Sequence, residues 1–435
     1  MKQPRILIAG AGIAGLTAAI ALRAHGFTDI QVLERSPVIA PLGSGINVLP
    51  HAVRELHALG LLERLLPQCI QTGELFYMNH RGDRIWREDR GVAAGYRWPQ
   101  LSIHRGWLQA ELLQRVLEEG GTGHVHAGQE VVGVFDEGAG HVVECLDRQT
   151  GQTRRHHADL VIGADGIRSA IRRALHPQEG PPPANGMVVF RGMLWGPSFM
   201  TGRSMIIAGD GLRKIVLYPM VRRVSGEVLL NWAAALPEKP DAGYARGDWN
   251  QPVSPEVFAG EFAGWDLDGV SPEALMRGSP DTFVYPMVDR EPLPAWSRGH
   301  VVLMGDAAHA MYPIGSNGAT QSIIDACALA HHLRQKEGDL AAGISAYEAD
   351  RRPRLTALQA ANRRQGPEVV IDLAAQRAPG GFARSGDVFE PGELEEIASR
   401  YTRISAMERD AVNLPSPYLP SPYQPVRLAP ELEPT

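Results

Sequence analysis

The chain has 435 residues, 44% hydrophobic and 21% charged, with a formal net charge of -6. That length exceeds one small core and fits two domains or one large elaborated one. A negative balance without a long Lys/Arg block argues against a general nucleic-acid binder, and three scattered cysteines (Cys69, Cys145, Cys327) fit a reducing compartment without structural zinc.

An apolar, β-branched run from Ile6 passes directly into Gly10-Ala11-Gly12-Ile13-Ala14-Gly15 and then an alanine-rich helix pattern. A G-x-G-x-x-G between strand and helix reads as a phosphate-binding turn. Gly10 permits the tight turn, Gly12 lets the backbone approach a pyrophosphate, and Gly15 lets helix pack on strand. The helix N-terminus offers free N–H groups to the phosphates. A second strand over residues 30–33 ends at Glu34, 19 residues after Gly15, where a carboxylate is placed to take the ribose hydroxyls of an adenine nucleotide. Lys2 and Arg5 before an apolar run raise a secretory signal as the alternative, but the glycine spacing and Glu34 favour a buried strand and helix. No other stretch approaches ~18 consecutive apolar residues, so no membrane span is expected, and the protein is read as cytoplasmic.

Further along, Pro41-Leu42-Gly43-Ser44-Gly45-Ile46-Asn47 is a glycine-rich loop, followed by a helix pattern over 51–65 with Val53, Leu56, Leu59 and Leu62 on one side. Residues 74–98 read as short strands turning at Arg81-Gly82-Asp83, and 102–117 as a helix with Arg105 at its start. A strand pair follows at 130–135 and 141–146, then a buried strand at 159–162 leading into Gly163-Ala164-Asp165-Gly166-Ile167-Arg168-Ser169. Beyond Pro181-Pro182-Pro183 come β runs at 187–194, 204–208, 214–221, 227–234 and 282–285, an antiparallel sheet inserted into the first domain. A strand at 300–303 precedes long helices at 318–335 and 343–364. From Ala378 onward repeated prolines argue against regular structure.

The expected fold is therefore α/β: a Rossmann-like nucleotide-binding domain with an inserted antiparallel β-sheet domain and C-terminal helices. The boundaries are 1–72, 99–180 and 286–340 for the first, 73–98 and 181–285 for the second, 341–377 for a C-terminal helix and 378–435 for a Pro-rich tail.

The segment Gly305-Asp306 through Gly318-Ala319 follows a buried strand and precedes a long helix, so Asp306 sits where open α/β sheets bind ligands and can accept from a sugar or ribityl hydroxyl. Gly315 and Gly318 let backbone amides crowd a planar ligand at a helix N-terminus, which stabilises negative charge there. No metal is expected: His124 and His126 share a strand face without a third ligand, and no H-E-x-x-H, Walker loop or G-x-S-x-G is present.

Taken together, Gly10–Gly15 with Glu34, Asp165-Gly166-Ile167-Arg168-Ser169, and Gly305-Asp306 through Gly318 resemble the class A flavoprotein aromatic hydroxylases, p-hydroxybenzoate hydroxylase-like FAD-dependent monooxygenases. The resemblance covers about residues 4–365. Ser102-Ile103-His104-Arg105-Gly106 and Tyr285-Pro286-Met287-Val288-Asp289-Arg290 look most like its phenazine-carboxylate monooxygenase branch. It implies FAD as cofactor, NADH or NADPH as transient co-substrate, O2, and hydroxylation of a small (hetero)aromatic through a flavin C4a-hydroperoxide, with or without oxidative decarboxylation. The absence of a second G-x-G-x-x-G agrees with transient nicotinamide binding. By position it implies Ala14, Glu34, Arg35 and Val131 along the adenosine half of FAD, the turn of Gly10, Gly12, Ile13 and Gly15 at the pyrophosphate, and Arg105 near the pyrophosphate and ribityl chain. Asp306 would meet the ribityl, and Gly315, Gly318 and Ala319 the isoalloxazine. Asp165 and Arg168 would lie between FAD and NAD(P)H, unless Asp165 braces its own turn. Pro313 would place its carbonyl near the flavin or simply shape the turn.

Candidate substrate residues come from the inserted sheet and the glycine loop: Asn47, Phe190, Arg191, Tyr218 and Trp232. Arg191 sits among Val188, Val189 and Phe190, a costly place for an unpaired charge, and fits either a substrate carboxylate or a structural one. Tyr218 either orients a ring substituent or packs on Trp232. Asn47 stands where hydroxynicotinate hydroxylases carry a histidine, which puts a dedicated base there in doubt. The rival functions are an FAD dehydrogenase or oxidase, and a flavin-bound protein that sequesters an aromatic without turnover. Oligomeric state is left open.

Overall fold

Four strands, Val301–Leu303, Leu160–Gly163, Ile6–Ala9 and Ile30–Glu34, lie side by side in parallel, with Val125–Ala127 parallel on one edge and Ser297–Arg298 antiparallel on the other. The structure, a computed structural model, describes residues 3–138, 140–239, 251–337 and 339–419. Ile6–Ala9 is buried at every position, as expected of a strand covered on both faces. Helix Ile13–Ala24 is buried from Ile13 to Leu22 and packs against helix Asn317–Gln335. Its small residues allow the close approach, while Leu16, Ile20 and Leu22 each contribute ~1.5–3 kcal/mol by burial.

The inserted sheet has eight strands, in the order Gln251–Pro252, Thr282–Val288, Ala184–Gly196, Val228–Pro237, Lys214–Arg222, Ser204–Gly209, Glu74–Asn79 and Arg84–Asp89. Its pairs are antiparallel except one. Ser204–Gly209 runs parallel to Glu74–Asn79, with Ser204 opposite Glu74, so the sheet is mixed where an antiparallel one was expected. A core lies on each face: Phe190, Trp232, Phe258 and Phe262 on one side, and Tyr77, Tyr218, Ile371 and Leu394 on the other. A small sheet of Gly45–Val48, Gln100–His104 and Cys69–Thr72 stands beside this sheet.

Three local expectations change. The helix expected from Ser102 begins at Arg105, because Gln100–His104 pairs with Gly45–Val48 as a strand. The helix expected over 51–65 ends at Ala58, and Gly60, at φ 71°, separates it from Leu62–Leu65. Past Ala378 regular structure resumes in helix Glu393–Ile404. Residues 405–419 then tie back onto the body through Tyr96 Oη to Met407 O at 2.5 Å, Asn413 Nδ2 to Gly95 O at 3.0 Å and Tyr418 Oη to Asp350 at 2.9 Å. The rest of the Pro-rich tail, 420–435, lies outside the described residues. No described helix is long and apolar enough to cross a membrane.

Candidate functional site

A cavity of about 520 Å³ opens at the carboxyl ends of the parallel strands and runs over one face of the inserted sheet. At the first turn the three glycines have separate reasons. A Cβ on Gly10 would lie 2.5 Å from Ala164 O, and one on Gly15 would lie 2.0 Å from Gly10 O, so both positions are closed by packing. Gly12 faces open space, with nothing within 4 Å of a built Cβ. Gly12, Ile13 and Ala14 line the cavity, and the helix they open has neither a side-chain cap nor an acidic first turn. Its free N–H groups are available to an anion. Glu34 stands beside this turn, accepting Ala11 N and Ser36 N at 2.8 Å each.

The second turn repeats the design. Gly305 adopts φ 56° and donates its N–H to Asp325 Oδ2 at 3.1 Å, which leaves Asp306 exposed toward the cavity it lines. Residues 311–319 continue the lining. Ser316, left-handed at φ 60°, starts helix Asn317–Gln335 without a side-chain cap, and a Cβ on Gly318 would meet nothing within 4 Å. Two long helices thus present uncapped N-termini and a bare glycine to one cavity.

Opposite them lies the inserted sheet. Arg191 points into the cavity, donating from Nη1 to Ser44 Oγ at 3.0 Å, with its guanidinium 5.8 Å from the Tyr285 ring centre. Among the described residues no carboxylate pairs with it. Met187, Val189, Met205, Ile207 and Val216 form an apolar wall around it. Tyr218 lines the same wall; burial raises its hydroxyl pKa, against the opposing charge of Arg191. Asn47 is buried, its Oδ1 accepting Ser102 Oγ at 2.7 Å and Gln100 Nε2 at 3.2 Å, so a neutral amide rather than a base occupies this point. Arg105, Pro313, Gly315 and Ala319 also line the cavity.

Other expected residues lie elsewhere. Phe190 and Trp232 face away from the cavity. Phe190 stacks on Phe258 at 4.1 Å, and Trp232 Nε1 donates to Ser279 Oγ at 2.8 Å. The reason is strand alternation: neighbours of Arg191 and Asn231 must point to the opposite face. Tyr218 accordingly has no packing on Trp232. The Asp165 carboxylate turns onto its own helix, accepting Ser169 Oγ and Ala170 N, while Ala164 and Gly166 line the cavity there. Arg35 and Arg168 are exposed, and Val131 is buried in the core. His124 lies in a turn, its Nδ1 at 2.8 Å from Ile30 O, rather than sharing a strand with His126.

Sequence reading missed three features. Asn231 lines the cavity, and its Oδ1 accepts Gly45 N at 2.7 Å, pinning the glycine loop to the sheet. Lys214 Nζ, also in the lining, lies 2.8 Å from Glu368 Oε2 and 2.8 Å from Gln365 Oε1. Behind the second turn a buried network joins Asp325, His309, Arg351, Gln321 and His51. Burial would raise the Asp325 carboxyl, yet the charges of His309 and Arg351 hold it below its usual range. Burial lowers His51 to about 3, with Arg54 and Arg351 adding to the effect. Of these, only Asn231 carried a signal, the alternation of Asn231, Ala233 and Ala235 with Leu230, Trp232 and Ala234.

The donor set fits a flavin dinucleotide: two uncapped helix N-termini, two glycines open where a Cβ would intrude, and an Asp306 carboxylate facing the space between.

The FAD binding domain family model matches residues 3–206 and 280–362. The chain is 40% identical over 388 residues to the phenazine 1,6-dicarboxylic acid hydroxylase PhzS of Lysobacter antibioticus, covering 86% of this chain and 95% of that protein. It is 30% identical over 373 residues to the 6-hydroxynicotinate 3-monooxygenase of Pseudomonas fluorescens, covering 82% and 90%. Among solved structures, Klebsiella pneumoniae HpxO complexed with FAD and uric acid is similar with a TM-score of 0.65 at 22% identity, covering 94% of each chain.

Proposed function

Since this chain belongs to the FAD-binding domain family and is a flavin-dependent monooxygenase, we propose that its substrate is a small, carboxylated, phenazine-like heteroaromatic. FAD is its cofactor, with NAD(P)H and O2 as co-substrates. The chemistry supplied by bound FAD is reduction by NAD(P)H and insertion of one O2 oxygen into the ring, the other leaving as water.

One observation carries the substrate reading. Arg191 enters an apolar cavity with a serine hydroxyl as its hydrogen-bond partner and no carboxylate paired to it among the described residues. A half-buried guanidinium among apolar side chains carries a desolvation cost without a counter-charge, and a substrate carboxylate offsets that cost with a charge-assisted pair. The relative acting on a phenazine dicarboxylic acid supports the same choice.

Other residues take roles from where they stand. The N–H groups at Gly12 and Ile13 would hold the pyrophosphate, Glu34 the adenosine ribose and Asp306 a ribityl hydroxyl. The helix N-terminus at Gly318 and Ala319 would favour negative charge on a flavin held in this cavity. Met205, Ile207 and Val216 exclude water from the reacting face, and Tyr218 and Arg105 border the substrate space. A cytoplasmic location belongs to the same proposal, supported by three cysteines that all remain thiols. The dehydrogenase and sequestering readings are not favoured, because relatives matching most of the chain are hydroxylases or monooxygenases.

A panel of heteroaromatic acids and their decarboxylated counterparts tests the proposal, read as NAD(P)H oxidation with product mass. Turnover confined to the acids is expected; equal turnover of uncarboxylated rings would overturn it.

A further inference from the structure

Helix Glu393–Ile404 holds two anchoring side chains seven residues apart, Leu394 and Tyr401, and that spacing places them on one helix face. Leu394 is buried in the core under the inserted sheet, with Tyr77, Ile371 and Tyr218. Tyr401 packs at the edge of the nucleotide-domain core. One helix therefore touches both the sheet that bears Arg191 and the turn that ends at Gly318.

Tyr401 occupies a slot made by two glycines. A Cβ on Gly315 would lie 2.2 Å from its hydroxyl oxygen, and one on Gly366 would lie 2.8 Å from Cε2. Both glycines have positive φ, 63° and 48°. The hydroxyl is fully used. It donates to Asn362 Oδ1 at 2.8 Å, accepts Asn317 Nδ2 at 2.9 Å, and lies 3.3 Å from Ile314 O. Asn317 Nδ2 also reaches Gly315 O at 2.9 Å, and Asn362 Nδ2 reaches Ile314 O at 3.3 Å. One phenol thus clasps residues 314, 315 and 317, the backbone lining the cavity just before Gly318.

We propose that Tyr401 is a positioning residue that fixes the 313–318 loop against bound FAD and couples its placement to the substrate sheet. The proposal rests on the reading of that loop as flavin-facing. The loop is also held by Asn362 Nδ2 on Ile314 O, Asn317 Nδ2 on Gly315 O and Thr320 Oγ1 on Ser316 O, while Pro313 is exposed and Ser316 at φ 60° leaves its helix uncapped by a side chain. Removing the hydroxyl takes a partner from two loop groups, Ile314 O and Asn317 Nδ2, and from Asn362 Oδ1 behind them, and leaves the ring in its slot.

The test is Tyr401→Phe, examined in two states. In the apoprotein, amide hydrogen exchange at residues 314–318 is expected to quicken about tenfold while the parallel strands keep their protection. In the FAD-loaded enzyme, more of the NAD(P)H consumed should appear as hydrogen peroxide and less as hydroxylated product, with substrate KM unchanged. Asn362→Ala, which removes the acceptor and leaves Tyr401, is the second variant should the first not fold, and the same pattern is expected of it. Wild-type exchange in a folded variant would overturn the proposal. So would faster exchange with unchanged product yield, which reduces Tyr401 to packing. Failure of the wild-type enzyme to hydroxylate any aromatic would sink the functional reading instead, and the exchange comparison would still decide whether Tyr401 holds the loop.

Discussion

Arg351 Nε donates to Asp325 Oδ1 at 2.8 Å, and both side chains are almost wholly buried. The other carboxylate oxygen accepts Gly305 N at 3.1 Å and meets His309 Nε2 at 2.5 Å. The turn that presents Asp306 is thus held from behind by an ion pair reaching helix Leu340–Arg363. Asp325→Ala strands a buried guanidinium and is expected to cost ~3–5 kcal/mol, measured by urea unfolding of the apoprotein. A loss below about 1 kcal/mol, the range of an exposed pair, would contradict the anchoring role.

Acid should destabilise the fold through His51. Its ring nitrogen Nε2 accepts from the Gln321 side chain at 3.2 Å, and burial holds it neutral down to about 3. The unfolded chain takes up this proton near ~6.5, so the contribution is whole above that pH and is lost as pH falls toward 3. The gap corresponds to roughly 4–5 kcal/mol. His51→Gln, uncharged throughout, should flatten the slope between pH 6.5 and 4; parallel profiles for the two proteins would refute the assignment.

The glycines of the first turn should separate binding from folding. Gly12→Val projects into open cavity, so an apoprotein of near wild-type melting temperature that fails to retain FAD is expected. Gly15→Ala drives a methyl against Gly10 O at 2.0 Å and should lower apoprotein stability itself, by about 1–3 kcal/mol. Full FAD occupancy in Gly12→Val after desalting would remove the phosphate role from this turn.

Arg191→Leu tests the carboxylate contact. Losing a hydrogen bond to a charged group costs ~1.5–3 kcal/mol, or roughly 10- to 100-fold in KM, for carboxylated substrates alone. Unchanged KM would return Arg191 to a purely structural place beside Ser44 and Tyr285.

What the sequence disclosed depended on how local the cause was. Gly10–Gly15 and Gly305–Gly318 were readable because strand, turn and helix are contiguous there, and the structure brings both stretches to one cavity. Sheet facing was not read through. Choosing Arg191 as a cavity residue excludes Phe190 by alternation alone, yet which parity faces the cavity is decided by Tyr218, Asn231 and Met205 on other strands. The parallel pairing of Ser204 with Glu74 joins segments 130 residues apart, beyond any local pattern. Helix Glu393–Ile404 was hidden by prolines on both sides, although Pro391-Gly392 followed by Glu393, Glu395 and Glu396 is itself a helix-start signal.

The most direct test supplies the FAD-loaded enzyme with NAD(P)H, isotopically labelled dioxygen and a phenazine carboxylate, then reads the product by mass spectrometry. One labelled oxygen atom on the ring is predicted, with NAD(P)H consumed in proportion. Flavin reduced by the aromatic compound without NAD(P)H, or product carrying no label, would contradict the account.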